Sequence, residues 1–229
     1  MENNIKKFWD AQGQKNTSPE SISNLEADQL LCQKKVELES AKILPILENV
    51  STNQSLVLDL GGGTGQWAFN FAHFVKEVTL VEFSEEMLKH AKRIKEKNNI
   101  LNVNLIHCHA EEFLVNKVFD IIWISGLLIY LSDKNFENLI ENCKKMSRSG
   151  SYIVLRDGTG IDKRHEIIDQ YSEALKLNYS ASYRTSDEYI NAFEKHEFKC
   201  LDHQDMFENE SGLNKWAETR LRLYTFVKT

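Results

Sequence analysis

The chain has 229 residues, of which 41% are hydrophobic and 27% are charged, and this composition is typical of a folded globular protein. Its length fits one domain, or one domain with an added cap. The formal net charge of -6 argues against a general nucleic-acid-binding protein, because such proteins neutralise phosphates with clustered Lys and Arg. The composition therefore favours a small-molecule partner and no nucleic acid.

The N-terminus and the cysteines both favour a cytoplasmic protein. The first residues lack the charged-then-apolar pattern of a signal peptide, and the longest apolar run, 121–131, is too short to span a bilayer. The cysteines are scattered without a C-x-x-C pair, which predicts reduced thiols and no metal site. We therefore expect no membrane partner and no bound metal. The richness in Lys, Asn, Ile and Glu is typical of an AT-rich bacterial genome.

Residues 1–50 contain two predicted helices before any predicted strand. The first covers 5–11, and the second runs from about 24 to 47, with Ser23 or Asn24 as its N-cap. Apolar residues of the second helix fall mostly on one face. We expect residues 1–50 to form a helical lid or flank on a domain that spans 51–229.

From residue 55 onward, short apolar runs alternate with amphipathic stretches. Such alternation predicts a parallel sheet covered by helices, so we expect an α/β three-layer sandwich with a seven-stranded, mostly parallel sheet. The predicted strands are 55–60, 78–83, 103–108, 119–125, 152–156, 198–206 and 220–227, of which the last two form a hairpin-like pair. The predicted helices are 65–74, 85–97, 133–146 and 186–196, and the stretch 157–178 is predicted to be polar and partly helical.

The strongest motif is a buried strand that runs into a glycine-rich turn and then a helix. Ligands of parallel sheets bind at such turns, where glycines let the backbone approach the ligand and the next helix offers free N–H groups. A dinucleotide fingerprint would require Gly or Ala at position 66, which is Gln66, and this argues against a nicotinamide-dependent dehydrogenase. The motif reads Leu56-Val57-Leu58-Asp59-Leu60-Gly61-Gly62-Gly63-Thr64-Gly65.

Asp59 followed by Gly61, Gly63 and Gly65 resembles the class I S-adenosylmethionine (SAM)-dependent methyltransferases. In that family this arrangement surrounds the methionine part of SAM. The resemblance covers residues 55–157. It implies a Rossmann-like fold with SAM as the cofactor and S-adenosylhomocysteine (SAH) as its product.

A second element lies at the end of the next predicted strand, about twenty residues beyond the glycine turn. Glu82 stands there, and a carboxylate at that point can accept hydrogen bonds from both ribose hydroxyls. In the resembling family the following residue often packs on the adenine. The resemblance therefore implies that Phe83 stacks on the cofactor.

A third element departs from the family pattern. Residues 108–111 correspond to the family's Gly-Asp-Ala-Glu, in which the Asp recognises the adenine amino group, but His109 replaces that Asp. Ala110 and Glu111 still match. The adenine contact then falls to His109, to Glu111 or to backbone groups.

The stretch 119–131 resembles the family's fourth strand and the loop that faces the transferable methyl group. This resemblance implies that Ser125 and Tyr130 line the reaction centre. A neutral hydroxyl acceptor would need a general base on the loops above the strand ends. Tyr130, Asp157 and His165 are the candidates.

Two arginines predict the acceptor's charge. Arg156 ends the fifth predicted strand, and Tyr183 and Arg184 lie in the later connection that often shapes the substrate side. Guanidinium groups bind phosphates and carboxylates, so an anionic acceptor is the hypothesis. We expect an oxygen acceptor first and a nitrogen second. The resemblance includes enzymes that act on surface polysaccharides, their phosphorylated precursors or natural products.

Other functions remain open. Prolines occur only at 19 and 45, so the proline-containing motifs of nucleic-acid base methyltransferases are missing. The alternatives within this resemblance are methylation of a protein, for example at a chain terminus, and SAM binding without catalysis. The sequence does not predict the oligomeric state.

Overall fold

A computed structural model describes residues 2–14, 28–172, 177–214 and 216–229. The strands are β1 (Leu56–Leu60), β2 (Glu77–Glu82), β3 (Val103–His107), β4 (Ile121–Ser125), β5 (Tyr152–Gly160), β6 (His165–Ser172), β7 (Leu177–Tyr183), β8 (Phe198–Asp205) and β9 (Thr219–Lys228). The helices are α1 (Glu2–Gly13), α2 (Gln29–Val50), α3 (Gln66–Phe71), α4 (Glu85–Lys97), α5 (Asp133–Lys145) and α6 (Ser186–Lys195). Short 3-10 turns cover Leu128–Tyr130 and Asn209–Ser211.

Seven of these strands form one sheet in the order β3-β2-β1-β4-β5-β9-β8. The first five are parallel, whereas β9 is antiparallel to both β5 and β8. The central strands β1, β2 and β4 are buried along nearly their whole length because the sheet is covered on both faces. The predicted α/β fold with a seven-stranded, mostly parallel sheet is confirmed.

Side-chain caps fix the starts of the helices that cover the sheet. Ser84 and Ser132 accept hydrogen bonds from backbone N–H groups in the first turns of α4 and α5. Thr185 and Glu188 form a capping box at the start of α6. These caps satisfy N–H groups that a helix leaves unpaired, and they place each helix start at the carboxyl edge of the sheet or beside it.

The stretch 157–178 was predicted to be polar and partly helical, and the helical part of this prediction is wrong for the residues that the structure describes. The structure extends β5 to Gly160 and then forms an antiparallel pair from β6 and β7, which is a separate two-stranded sheet. One face of the pair packs Ile167, Ala181 and Tyr183 against Ile129. Buried residues therefore recur every second position on β7, which is the period of a strand, and the exposed polar residues between them hid that period.

The N-terminal helices pack on the sheet domain. Helix α2 begins after Asp28, whose carboxylate caps it, while the predicted start near residue 24 lies outside the described residues. Ile43 and Leu47 of α2 share a hydrophobic cluster with Trp123 of β4. Helix α1 contacts α4 and β7 instead. Among the described helices, none has the length and apolar character needed to cross a membrane.

Candidate active site

A cavity of about 430 Å³ opens at the carboxyl ends of β1, β2, β4 and β5. This is the edge at which parallel α/β sheets bind ligands. Tyr130 and Arg156 line the cavity from the predicted acceptor side. Of the predicted cofactor residues, those that line it are Asp59, Gly61, Gly63, Glu82, Phe83, His109, Ala110, Glu111 and Ser125.

The glycine turn is fastened to the end of β2. The backbone N–H of Gly61 donates to the Val81 carbonyl (2.8 Å), and that of Gly63 donates to Glu82 Oε2 (3.0 Å). Gly65 does not line the cavity. It is glycine because its φ is +88°, and a Cβ there would lie 2.4 Å from the Phe69 ring. The predicted role of Gly65 in cofactor contact is therefore replaced by a role in the turn.

Glu82 ends β2 and is 5% exposed. Its Oε1 accepts a hydrogen bond from the Ser84 N–H (2.8 Å), while Oε2 accepts the bond from Gly63. Burial raises the pKa of Glu82 above its ordinary value. Each oxygen keeps a further lone pair for a hydroxyl donor, so the geometry suits a vicinal diol such as a ribose.

Asp59 lies at the floor of the cavity and is 1% exposed. Its Oδ2 is buried and has no hydrogen-bond partner. Burial, and then the nearby negative charge of Glu82, raise the pKa of Asp59 to about 8. A buried acceptor without a partner is costly, and a bound cation would relieve that cost. The ammonium group of SAM's methionine part fits this requirement.

The cavity wall at the end of β3 carries the residues predicted to meet adenine. The rings of Phe83 and His109 lie 5.3 Å apart between centroids and are tilted by 35°. The Glu111 carboxylate accepts a hydrogen bond from Asn135 Nδ2 (3.0 Å). Asn135 itself lines the cavity, and no motif in the sequence singled it out.

Helix α2 contributes a charge that sequence reasoning missed. Glu39 Oε1 lies 2.5 Å from Arg156 Nη2, and the two side chains are 2% and 13% exposed. Arg156 Nη1 also donates to Ser125 Oγ (3.1 Å). Both charged residues line the cavity. The available signal was that Glu39 stands one helical turn before Ile43, on the buried face of α2.

Arg184 occupies a different place from the one predicted for it. It is 1% exposed and donates to the carbonyls of Leu128 and Leu131 (2.8 Å each) and to the Asp133 carboxylate (2.7 Å). It does not line the cavity. All of these bonds hold the turn that carries Tyr130, so the structure gives no support to the predicted substrate-binding role of Arg184, which stays a prediction.

Two of the three predicted bases also lie away from the cavity. Asp157 is fully buried, and its two oxygens accept hydrogen bonds from the N–H groups of Leu128 (2.6 Å) and Gly158 (2.7 Å). Burial raises its pKa to about 6. His165 lies on β6 beside the ring of Tyr183, with the centroids 5.9 Å apart. The structure therefore gives no support to the predicted catalytic roles of Asp157 and His165, which stay predictions.

Tyr130 does line the cavity, and burial raises its pKa well above the ordinary phenol value. It is therefore a neutral hydroxyl near pH 7. Tyr183 lines no described cavity and instead bonds the Tyr179 hydroxyl (2.5 Å). The predicted contact of Tyr183 with substrate therefore stays a prediction without support from these two cavities.

Helix α1 covers the acceptor side of the cavity. Ile5 and Trp9 line it, and the Trp9 ring meets the edge of Tyr130 with centroids 5.6 Å apart. The helix is fastened to α4, because Ser84 Oγ donates to Asp10 Oδ1 (2.6 Å). Among the described residues, no group of three or more His, Cys, Asp or Glu is placed to hold a metal ion.

Comparisons with known proteins agree with this site. Residues 57–150 match a family model described as a methyltransferase domain. The chain is 24% identical over 206 residues to phosphoethanolamine N-methyltransferase 1 of Caenorhabditis elegans, which covers 88% of this chain and 41% of that protein. It is 30% identical over 172 residues to a ubiquinone/menaquinone biosynthesis C-methyltransferase of Vibrio vulnificus, which covers 69% of this chain and 66% of that one.

The fold is also similar to that of a SAM-dependent methyltransferase from Leishmania major. The TM-score is 0.72 at 19% identity, and the match covers 98% of this chain and 82% of that one. The chain spans 41% and 66% of the length of the two curated relatives above. Together with the glycine turn and Glu82, these matches show that the chain belongs to the Rossmann-like, class I SAM-dependent methyltransferases, whose cofactor is SAM.

Proposed function

We propose that this chain transfers a methyl group from SAM to a small-molecule acceptor. The observation that carries the proposal is the presence of two buried carboxylates, Asp59 and Glu82, in one cavity beside a glycine turn. SAM carries a sulfonium and an ammonium charge, and both favour an acidic site. The cavity volume of about 430 Å³ lies within the range of ligand sites.

The residues divide the cofactor among them. Glu82 would accept hydrogen bonds from the ribose hydroxyls, Asp59 would face the ammonium group, and Phe83 with His109 would pack on the adenine. Bound SAM supplies a methyl group that is already activated by its positive sulfur. The protein's task is then to hold the acceptor in line and to exclude water.

On the acceptor side of the cavity, the acceptor's lone pair would form the new bond to the methyl carbon of SAM. The carbon–sulfur bond breaks, its electron pair stays on sulfur in SAH, and the acceptor loses a proton to water. Tyr130 contributes a neutral hydroxyl that orients the acceptor, while Trp9 and Leu127 exclude water. Of the three predicted bases only Tyr130 lines this cavity, which favours an acceptor atom that is nucleophilic without a base. Nitrogen is therefore favoured over oxygen.

The hypothesis of an anionic acceptor rested on two arginines, and the structure does not support it. Arg156 is matched by Glu39, and Arg184 is held by backbone carbonyls and Asp133 outside the cavity. The two relatives compared above are named as an N- and a C-methyltransferase. Because these names differ in the acceptor atom, they do not identify the acceptor of this chain. The charges that line the site are therefore used to infer the acceptor class.

Release of SAH tests the proposal. Purified protein is incubated with SAM and with small amines, alcohols and phosphorylated compounds, and SAH is measured. We expect SAH to form only when an acceptor is present and to be lost in Glu82→Ala. Tight SAM binding without SAH from any acceptor would instead support a SAM-binding protein without catalysis.

A further inference from the structure

A second cavity, of about 200 Å³, lies between helix α1 and the β6–β7 pair. Ile5 and Tyr130 line both this cavity and the cofactor cavity, so the two cavities meet at these side chains. A molecule in the second cavity therefore lies next to Tyr130, at the border of the cofactor cavity. Its full lining is Ile5, Phe8, Tyr130, Ile168, Asp169, Asn178, Tyr179 and Ser180.

The walls of this second cavity are rich in aromatic rings. Phe8, Tyr130 and Tyr179 line it, and the rings of the two tyrosines meet edge to face with centroids 6.4 Å apart. The faces of such rings carry negative electrostatic potential and attract cations. A cationic group with some apolar surface suits these walls.

Asp169 is placed in this cavity by an unusual backbone. The pairing of β6 with β7 shifts register between Ile167 and Gln170, and Asp169 within that bulge has φ +48°. Its N–H donates to Ser180 Oγ (2.9 Å), and its Oδ1 accepts from Asn178 Nδ2 (3.2 Å). Bulges re-aim side chains beside functional sites, and a left-handed backbone at a non-glycine residue often marks such a site.

The charge that the described lining residues give the second cavity is negative. Among the described side chains that line the second cavity, Asp169 is the only charged one. The nearby Arg156 in the cofactor cavity is matched by Glu39. Asp169 is exposed at the mouth of this cavity, where a carboxylate beside aromatic rings attracts ammonium groups and repels anions.

We infer that the second cavity is the acceptor subsite and that it selects an acceptor bearing an ammonium group, with Asp169 as the anchor. This inference rests on the proposed methyltransferase function and names its substrate class. The ammonium group belongs either to a small amine or to the free N-terminus of a peptide. It anchors the acceptor and is not the methylated atom, because an ammonium nitrogen has no lone pair to form the new bond. Its chemistry is the same in both sources.

Binding of matched probes to the SAH-bound protein tests the anchor. Tyramine, tyrosol and 4-hydroxyphenylacetate share one ring and differ only in an amine, an alcohol or a carboxylate. We expect calorimetry to show that tyramine binds about tenfold more tightly than tyrosol, and the acid least tightly. Equal binding of the three, tighter binding of the acid, or no binding of any would overturn the inference.

The variant Asp169→Asn removes the negative charge and keeps the shape of the side chain. Asn, like Asp, tolerates a left-handed backbone. We expect it to abolish the preference for tyramine over tyrosol and to leave SAH affinity unchanged. Asp202→Asn, an exposed residue on β8, is the matched control and should change neither. A preference for tyramine that survives in Asp169→Asn would contradict the assigned anchor.

Two further comparisons distinguish a small amine from a peptide N-terminus, and the proposed function from the acceptor subsite. A short peptide with a free N-terminus is compared with its N-acetylated form, and preference for the free form beyond that for tyramine identifies a peptide acceptor. Failure of the wild-type protein to bind SAH counts against the proposed function. Normal SAH binding without amine selectivity counts only against the acceptor subsite.

Discussion

The cofactor half and the acceptor half of the active site are built in different ways. In the cofactor half, Gly63 and Glu82 are joined across 19 residues by consecutive strands of the sheet. In the acceptor half, Glu39 reaches Arg156 across 117 residues, and Asp10 reaches Ser84 across 74. Local connections leave a motif in the sequence, whereas long-range side-chain pairs leave none.

Breaking the longest of these connections has the largest expected effect. In Glu39→Ala the half-buried Arg156 loses its countercharge, and we expect the free energy of unfolding to fall by about 3 kcal/mol, the lower end of the range for a broken buried ion pair. Urea denaturation measures the change. Glu37→Ala, an exposed residue on the same helix, is the control and should alter stability by less than about 0.5 kcal/mol. Equal stability of the two variants would show that α2 is not held through this pair.

The cofactor half is tested by removing its central carboxylate. Glu82→Ala deletes the acceptor for two backbone N–H groups and for the ribose, and we expect the affinity for SAH to fall about 100-fold. Calorimetric titration measures it. Glu77→Ala lies at the opposite end of the same strand and should bind SAH like the wild type. Comparable losses in both variants would mean that the effect comes from the strand and not from the site.

A smaller effect concerns the proton on Asp59. Its pKa of about 8 means that the carboxyl is mostly protonated near pH 7 in the free protein. An ammonium group beside it lowers that pKa, so binding releases a proton and SAH affinity rises with pH, by up to about tenfold per unit below pH 8. Titrations in buffers of different ionisation enthalpy count the released proton. Asp59→Asn should bind without proton release, and the same pH dependence in this variant would assign the proton to another group.

The sheet and most of the cofactor half could be predicted because each strand and turn carries its own pattern. The glycine turn, Glu82 and the apolar central strands are local features of this kind. Gly65 shows that a match to a family motif does not establish a ligand contact. The residue fits the motif, but in the structure it allows the positive φ of the turn and does not line the cavity. The division of the chain at residue 50 stays a prediction.

The acceptor half could not be predicted because its residues meet only after folding. In the sequence, Arg184 and Asp157 resemble functional residues because they are polar and lie near predicted strand ends. In the structure both are buried and form hydrogen bonds with the turn around Tyr130. The β6–β7 pair was hidden by its polar exposed face. The position of Asp169 depends on a β-bulge that the sequence pattern does not predict.

Calorimetric titration of the wild-type protein with SAM and SAH tests the central claim most directly. The account predicts one binding site for each, with micromolar affinity or about -8 kcal/mol. Absence of binding to a protein that is shown to be folded by circular dichroism would contradict the assignment of this cavity to SAM.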